Sequence, residues 1–219
     1  MNLDFDQFVP NIPYILSGIL VTLQFVSVSA LIGFFGGTLL ALCKIGRIKV
    51  LVWLADAYTS IFRGTPLILQ LSLIYFATPQ LVGYDITPFL AGVLAFGLNS
   101  TAYISEIIRA GIGAVDKGQQ EAAEALGIPY RPMMKDIILP QALKNILPAL
   151  MNEFITLTKE SAIVSVIGVY DIMRRSQIVA AEKYKYFEPL LIAGVIYWVL
   201  VMVLTLLGKV IERRMSRSD

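Results

Sequence analysis

Seven charged side chains, with a few amides and hydroxyls between them, interrupt stretches that are otherwise apolar, and these are the residues able to do chemistry. Asp56 and Arg63 are seven residues apart and so share one face of a helix. Asn99, Tyr103 and Glu106 fall on one face of a later stretch, with Arg109 three residues after Glu106. Glu153, Thr156 and Glu160 line up on one side of a third, beside Asn152 and Lys159. A charge at membrane depth is costly, and it normally faces protein or a water-filled path. Asp56, Arg63, Asn99, Glu153, Thr156 and Glu160 are therefore the candidate pathway residues. Asp56 with Arg63 also admits a plain reading as an ion pair between helices. Glu106 and Arg109, close to the end of their stretch, are assigned a structural or inter-subunit role. Asp56, Glu106, Glu153 and Glu160 oppose Arg63, Arg109 and Lys159, which leaves one net negative charge.

Other chemistries are excluded by what the chain lacks. It has no histidine, and Cys43 is its only cysteine, so a His/Cys metal site, a His-based triad and an internal disulfide are ruled out. No G-x-x-x-x-G-K-S/T loop occurs, so the chain cannot cradle ATP phosphates itself. A net charge of +2 is too small to mark a nucleic-acid binder.

The elements that must position these residues are membrane helices. Of 219 residues, 57% are hydrophobic and 16% charged, against about 25% charged in soluble domains. The mean hydropathy is +0.71. Five apolar segments follow one another: Tyr14–Leu42, Leu51–Thr78, Ile86–Ile112, Ala142–Tyr170 and Phe187–Ile211. Each exceeds the roughly 20 residues needed to cross the hydrocarbon core, and lipid permits them to be only helices. No repeat or linker divides the chain, so residues 1–219 are expected to form one all-α integral membrane domain with five transmembrane helices.

Basic residues set the expected orientation. Lys44, Arg47 and Lys49 follow the first span. Lys117, Arg131 and Lys135 lie in the long polar loop, and Lys209, Arg213, Arg214 and Arg217 in the tail. This puts the N-terminus outside and the C-terminus in the cytoplasm. Asp171–Glu188 dissents, because it carries Arg174, Arg175, Lys183 and Lys185 on the expected outer side. Met1–Asp6 has no basic n-region, so no cleavable signal is expected. Gly33 and Gly37, with Gly36 between, have the spacing that lets helices approach closely. Arg63-Gly64-Thr65-Pro66 breaks the second span near its middle, a pointer to a pathway or gate. Phe187–Ile211 reads as a lipid-facing or packing helix.

The loop Asp116–Pro140 carries its own folding instructions. Asp116 and Gln119 have capping-box spacing, and Gln119–Leu126 is rich in helix formers. Gly127 suits the left-handed position that ends a helix, and Pro129 stops continuation. A second short helix should start near Pro132 and end at Pro140.

Glu121-Ala122-Ala123, then Gly127, Ile137 and Leu139-Pro140 at their spacings, resembles the EAA loop of ABC importer permeases. Arg63-Gly64-Thr65-Pro66 with Gln70, Ser100–Ile112, Gly118-Gln119, Asn152–Ile155, Leu157, Lys159-Glu160-Ser161 and Ser165–Gly168 are similar to stretches of permeases for polar amino acids. The similarity covers roughly residues 14–211. Glu160 stands where that family frequently has Asp, a conservative departure. The resemblance implies a type I ABC importer permease-like fold whose loop helix, the coupling helix, docks in an ATPase subunit. Gln119, Glu121, Ala122, Ala123, Leu126 and Gly127 are then the ATPase-coupling residues.

The same resemblance implies a multi-pass subunit of a bacterial or archaeal inner membrane, without catalytic or metal-binding residues of its own. Two ABC ATPase subunits would bind ATP and Mg, and an extracytoplasmic binding protein would deliver the amino acid. The second permease subunit is expected to be another copy of this chain, although a sister permease fits as well. Alternating access would carry the solute across. The residual negative charge leans the substrate towards arginine, lysine or histidine, with Arg63 or backbone amides taking its carboxylate. The alternative is an ion-gradient-driven secondary transporter or channel subunit, which would use the same charges but gives no reason for the capped loop helix.

Overall fold

The computed structural model describes residues 4–216, with side chains to residue 213. Met1–Leu3, the side chain of Arg214 and Arg217 lie outside the described residues. The principal helices are α1 (Gly18–Ile45), α2 (Lys49–Gly64), α3 (Leu67–Ser72), α4 (Pro88–Gly113), α5 (Lys117–Ala125), α6 (Leu139–Glu160), α7 (Ile172–Lys183) and α8 (Phe187–Ser216). Short helical pieces precede α1 and follow α3, and among the described residues there is no strand. Three helical runs, Asp6–Ile45, Pro88–Gly113 and Phe187–Arg213, are long and apolar enough to cross a membrane. Lys49–Gly64 with Leu67–Val82 qualifies as one broken span, divided where the sequence places Thr65-Pro66.

The fourth expected span needs correction. Its helix is Leu139–Glu160, not Ala142–Tyr170, and Ser161–Ile167 continues as a tighter 3-10 run ending at Gly168, φ +87°. Lys144, Asn145, Asn152, Glu153 and Lys159 make α6 too polar to qualify on apolarity. A helix with that composition needs protein or water along part of its length.

Two compact units are resolved: Met1–Leu31 with Thr65–Gly97 and Phe154–Thr205, and Ile32–Gly64 with Leu98–Glu153 and Leu206–Asp219. In the first, Phe8, Ile15, Ile172, Val179, Ala193 and Ile196 form a core, and Phe25 meets Phe96 edge-on at 4.9 Å. Asp171–Glu188, the segment whose charges dissent, contains a three-turn helix. Asp171 caps α7 by accepting the Arg174 amide at 2.8 Å. Arg175 donates from Nε to the Tyr170 carbonyl at 3.0 Å and stacks 4.8 Å from the Tyr14 ring. Arg174 is likewise half-buried. Both arginines belong to a folded element, and a count of loop charges could not discount them for that reason. In the same unit α3 starts at Pro66, extended at ψ 135°, and Gln70 Nε2 donates back to Thr65 at 2.9 and 3.2 Å.

In the second unit the α1 glycines pack as their spacing requires. A Cβ on Gly33 would lie 2.6 Å from Ser100 Oγ, and one on Gly37 would lie 2.8 Å from Ile104. Only hydrogen fits between α1 and α4 at those points.

Candidate functional site

Lys44 is the residue that sequence reasoning missed. Counted there as a loop charge, it stands within α1, which runs on to Ile45. Its ammonium lies 2.5 Å from Glu106 Oε1 and 3.0 Å from Asp56 Oδ1, and donates to Thr59 Oγ1 at 2.8 Å. All three of its N–H donors therefore have acceptors, and its side chain is 4% exposed. The other oxygen of Glu106 accepts Arg109 at 2.7 and 3.1 Å. The only signal in the sequence was that the apolar run before Cys43 could extend another turn and carry Lys44 with it.

These contacts redistribute the expected roles. Asp56 and Arg63 do not pair with each other in the contacts observed. Asp56 is held by Lys44 with its side chain 60% exposed, and Arg63 Nη1 lies 3.9 Å from Glu106 Oε2. Glu106 is thus the centre of a cluster on three helices. Lys44 also corrects the charge count: adding it to the seven membrane-depth charges brings their sum from minus one to zero. Lys44, Asp56, Arg63, Tyr103, Glu106 and Arg109 border an open cleft of about 700 Å³.

Asn99 is nearly buried and donates from Nδ2 to the Phe62 carbonyl at 3.0 Å. Near the end of α2, where carbonyls lack intrahelical partners, this bond satisfies one of them. Tyr58 donates to the Leu98 carbonyl at 2.8 Å, tying the same two helices. Glu153 is half-buried and accepts from Ser100 Oγ at 3.1 Å. In the first unit Thr156 is half-buried and Glu160 exposed.

The loop of the second unit folds largely as its sequence instructs. Asp116 accepts the Gly118 amide at 2.6 Å. The reciprocal capping box does not form: Asp116 caps the Gly118 amide alone, the Gln119 amide reaches the Asp116 carbonyl, and the Gln119 side-chain oxygen lies 3.5 Å from Gln141 Nε2. At the other end Gly127 takes φ +70°, with its amide on Glu124 O at 2.9 Å and the Ile128 amide on Ala123 O at 3.0 Å. This pair of bonds is the Schellman arrangement, and Ile128 packs on the cluster around Ala123 as that arrangement favours. Ala123, Met133 and Ile138 form a small core beneath α5. Gln119, Glu121, Ala122, Leu126 and Gly127 are exposed, Leu126 at 79%. Ala123 faces inward, so within the loop it is an anchor and not part of the exposed surface.

Pro140 does not end a second helix. Met133–Ile138 widens into a π-helix and the run continues into α6. A proline lacks an amide and its ring strikes the carbonyl four residues back; a π turn there accommodates both, so the helix continues through the proline.

An all-helical membrane chain with an ion cluster around a buried lysine, an open charged cleft and a capped, exposed loop helix has the parts of a transporter's membrane subunit. Residues 33–217 match the family described as binding-protein-dependent transport system inner membrane component, and the chain belongs to that family. The arginine transport system permease protein ArtQ of Bacillus subtilis is 59% identical over 219 residues, 100% of both chains. The putative glutamine transport system permease protein GlnP of Rickettsia bellii is 54% identical over 212 residues, 97% of each. A solved structure described as an amino acid ABC transporter with histidines superposes at TM-score 0.94 with 47% identity, covering 98% of this chain and 100% of that one. The chain is thus a membrane subunit of an amino acid ABC importer, non-catalytic, with ATP hydrolysis residing in a separate subunit.

Proposed function

We propose that this subunit serves an ATP-driven importer of polar amino acids that favours basic ones, and that two copies of it form the translocation path. Two ATPase subunits bind ATP and Mg, and a binding protein delivers the solute from outside. The N-terminus lies outside and the C-terminus in the cytoplasm, so that residues 1–219 act as one permease domain. ATP closes the ATPase pair, the docked α5 helices move, and the path reopens on the other side. The observation that carries this reading is α5, capped at both ends and seated on its own core, with Gln119, Glu121, Ala122, Leu126 and Gly127 turned outward. A helix built that way transmits force as a rigid body, with Ala123 as its anchor.

Asp56, Arg63, Asn99, Glu153, Thr156 and Glu160 line the path in this reading, Asn99 by shaping the end of α2. With Lys44 included, net charge no longer argues for a basic solute. The lean rests instead on the exposed carboxylates Asp56 and Glu160, on half-buried Glu153, and on the arginine and histidines in the descriptions of two similar proteins. Replacing Glu153 with Gln in the assembled transporter should reduce arginine uptake several-fold more than glutamine uptake. Equal effects on both, or none, would remove the basic preference.

A further inference from the structure

Three cations and two carboxylates border the cleft of the second unit, and four of the five are tied down. Lys44 holds both acids, and Arg109 grips the far oxygen of Glu106. Arg63 is the exception. Its nearest carboxylate oxygen is at 3.9 Å, beyond hydrogen-bond reach, and its guanidinium carbon stands 5.2 Å from the centre of the Tyr103 ring. No hydrogen bond to that guanidinium is present among the described residues, and its side chain is 45% exposed. Next to it, a Cβ placed on Gly64 would meet nothing within 4 Å. The surplus positive charge of the cluster therefore sits on a planar fork facing open space.

We propose that Arg63 is a carboxylate-binding subsite, taking the α-carboxylate of the transported amino acid in this cleft. The assignment rests on the importer reading above and decides between the two carboxylate acceptors that the sequence left open. The guanidinium fork matches two carboxylate oxygens, a fit that a lysine ammonium lacks. Glu106 cannot turn to satisfy it, because Lys44 and Arg109 hold its two oxygens apart. Tyr103 supplies a face that limits the directions the fork can take.

The test uses the complete permease–ATPase complex in nanodiscs of zwitterionic lipid. Equilibrium binding of arginine is compared with that of agmatine, which keeps the side chain but lacks the carboxylate. Wild type should prefer arginine by about 10- to 100-fold, the scale of a charge-assisted pair. Arg63→Gln should abolish that preference by weakening arginine binding without weakening agmatine binding. Arg63→Lys, which keeps the charge, should retain only part of the preference and serves if the glutamine variant does not assemble. Equal weakening of both ligands, or an undiminished preference in the lysine variant, overturns the subsite. So does an arginine preference that disappears when anionic lipid is added, since a headgroup phosphate would then be the occupant. ATP-dependent uptake by the wild type, measured separately with its binding protein, reports on the importer reading, and its failure would leave the binding comparison readable.

Discussion

Lys44 and Glu106, sixty-two residues apart, meet at 2.5 Å, and the same ammonium reaches Asp56 at 3.0 Å. One almost fully buried cation thereby serves acids on two other helices. Removing it leaves both without their shared partner. Lys44→Met should destabilise the folded subunit by about 1–3 kcal/mol, less than breaking a fully buried pair, because Glu106 keeps Arg109 and the Asp56 side chain is 60% exposed. Lys44→Met combined with Glu106→Gln should recover part of that loss. Thermal unfolding in detergent measures both, and additive losses in the double variant would show that the two residues are not coupled.

The α5 helix ends in a left-handed glycine and exposes Glu121. Gly127→Val forces a β-branched side chain into that conformation, at a cost of about 1–2 kcal/mol, and loosens the cap. Glu121→Lys reverses a charge on the exposed surface. Both variants should insert in the membrane normally yet lose transport-linked ATP hydrolysis. Hydrolysis at the wild-type rate in both would sink the coupling role of this helix.

Gly33 and Gly37 stand where α1 and α4 touch. Alanine at either position should lower stability by about 1–3 kcal/mol through overpacking. Gly113, with open space around it, provides the control, and Gly113→Ala should change the unfolding temperature little.

Asp171 introduces a pH dependence. It is almost fully buried at the start of α7, where it accepts the Arg174 amide and the Tyr197 hydroxyl. Burial pushes its carboxyl up to about 6, against an ordinary value near 4. Because the folded state holds the proton more tightly than the unfolded one, this stabilisation is complete below about pH 4 and is lost as pH rises through about 6. The unfolding temperature should therefore fall between pH 5 and pH 7.5. Asp171→Asn, which cannot lose a proton, should flatten that part of the profile; a profile identical to wild type would show that Asp171 does not titrate in this range.

Composition and local chemistry made the general plan readable. Apolar stretches longer than a bilayer must be helices, so four of the five expected spans are found as helices, one of them broken, that are long and apolar enough to cross a membrane, and the break at Thr65-Pro66 falls where proline demands it. Gly127 took the left-handed conformation because few other residues adopt it cheaply. The small spacing of Gly33 and Gly37 likewise foretold a close helix contact. These features depend on neighbours in sequence or on solvent, and a linear reading sees both.

Partners distant along the chain were a different matter. Nothing near Lys44 announces Asp56, Thr59 and Glu106 as its acceptors, and nothing near Arg63 says that Glu106 is already taken. Asn99 reaches the Phe62 carbonyl thirty-seven residues away, and Ala123 is turned inward onto Met133 and Ile138, relations that nothing beside either residue announces. Charge pairing and burial are settled by which helix faces meet, and that depends on the packing of all the helices at once.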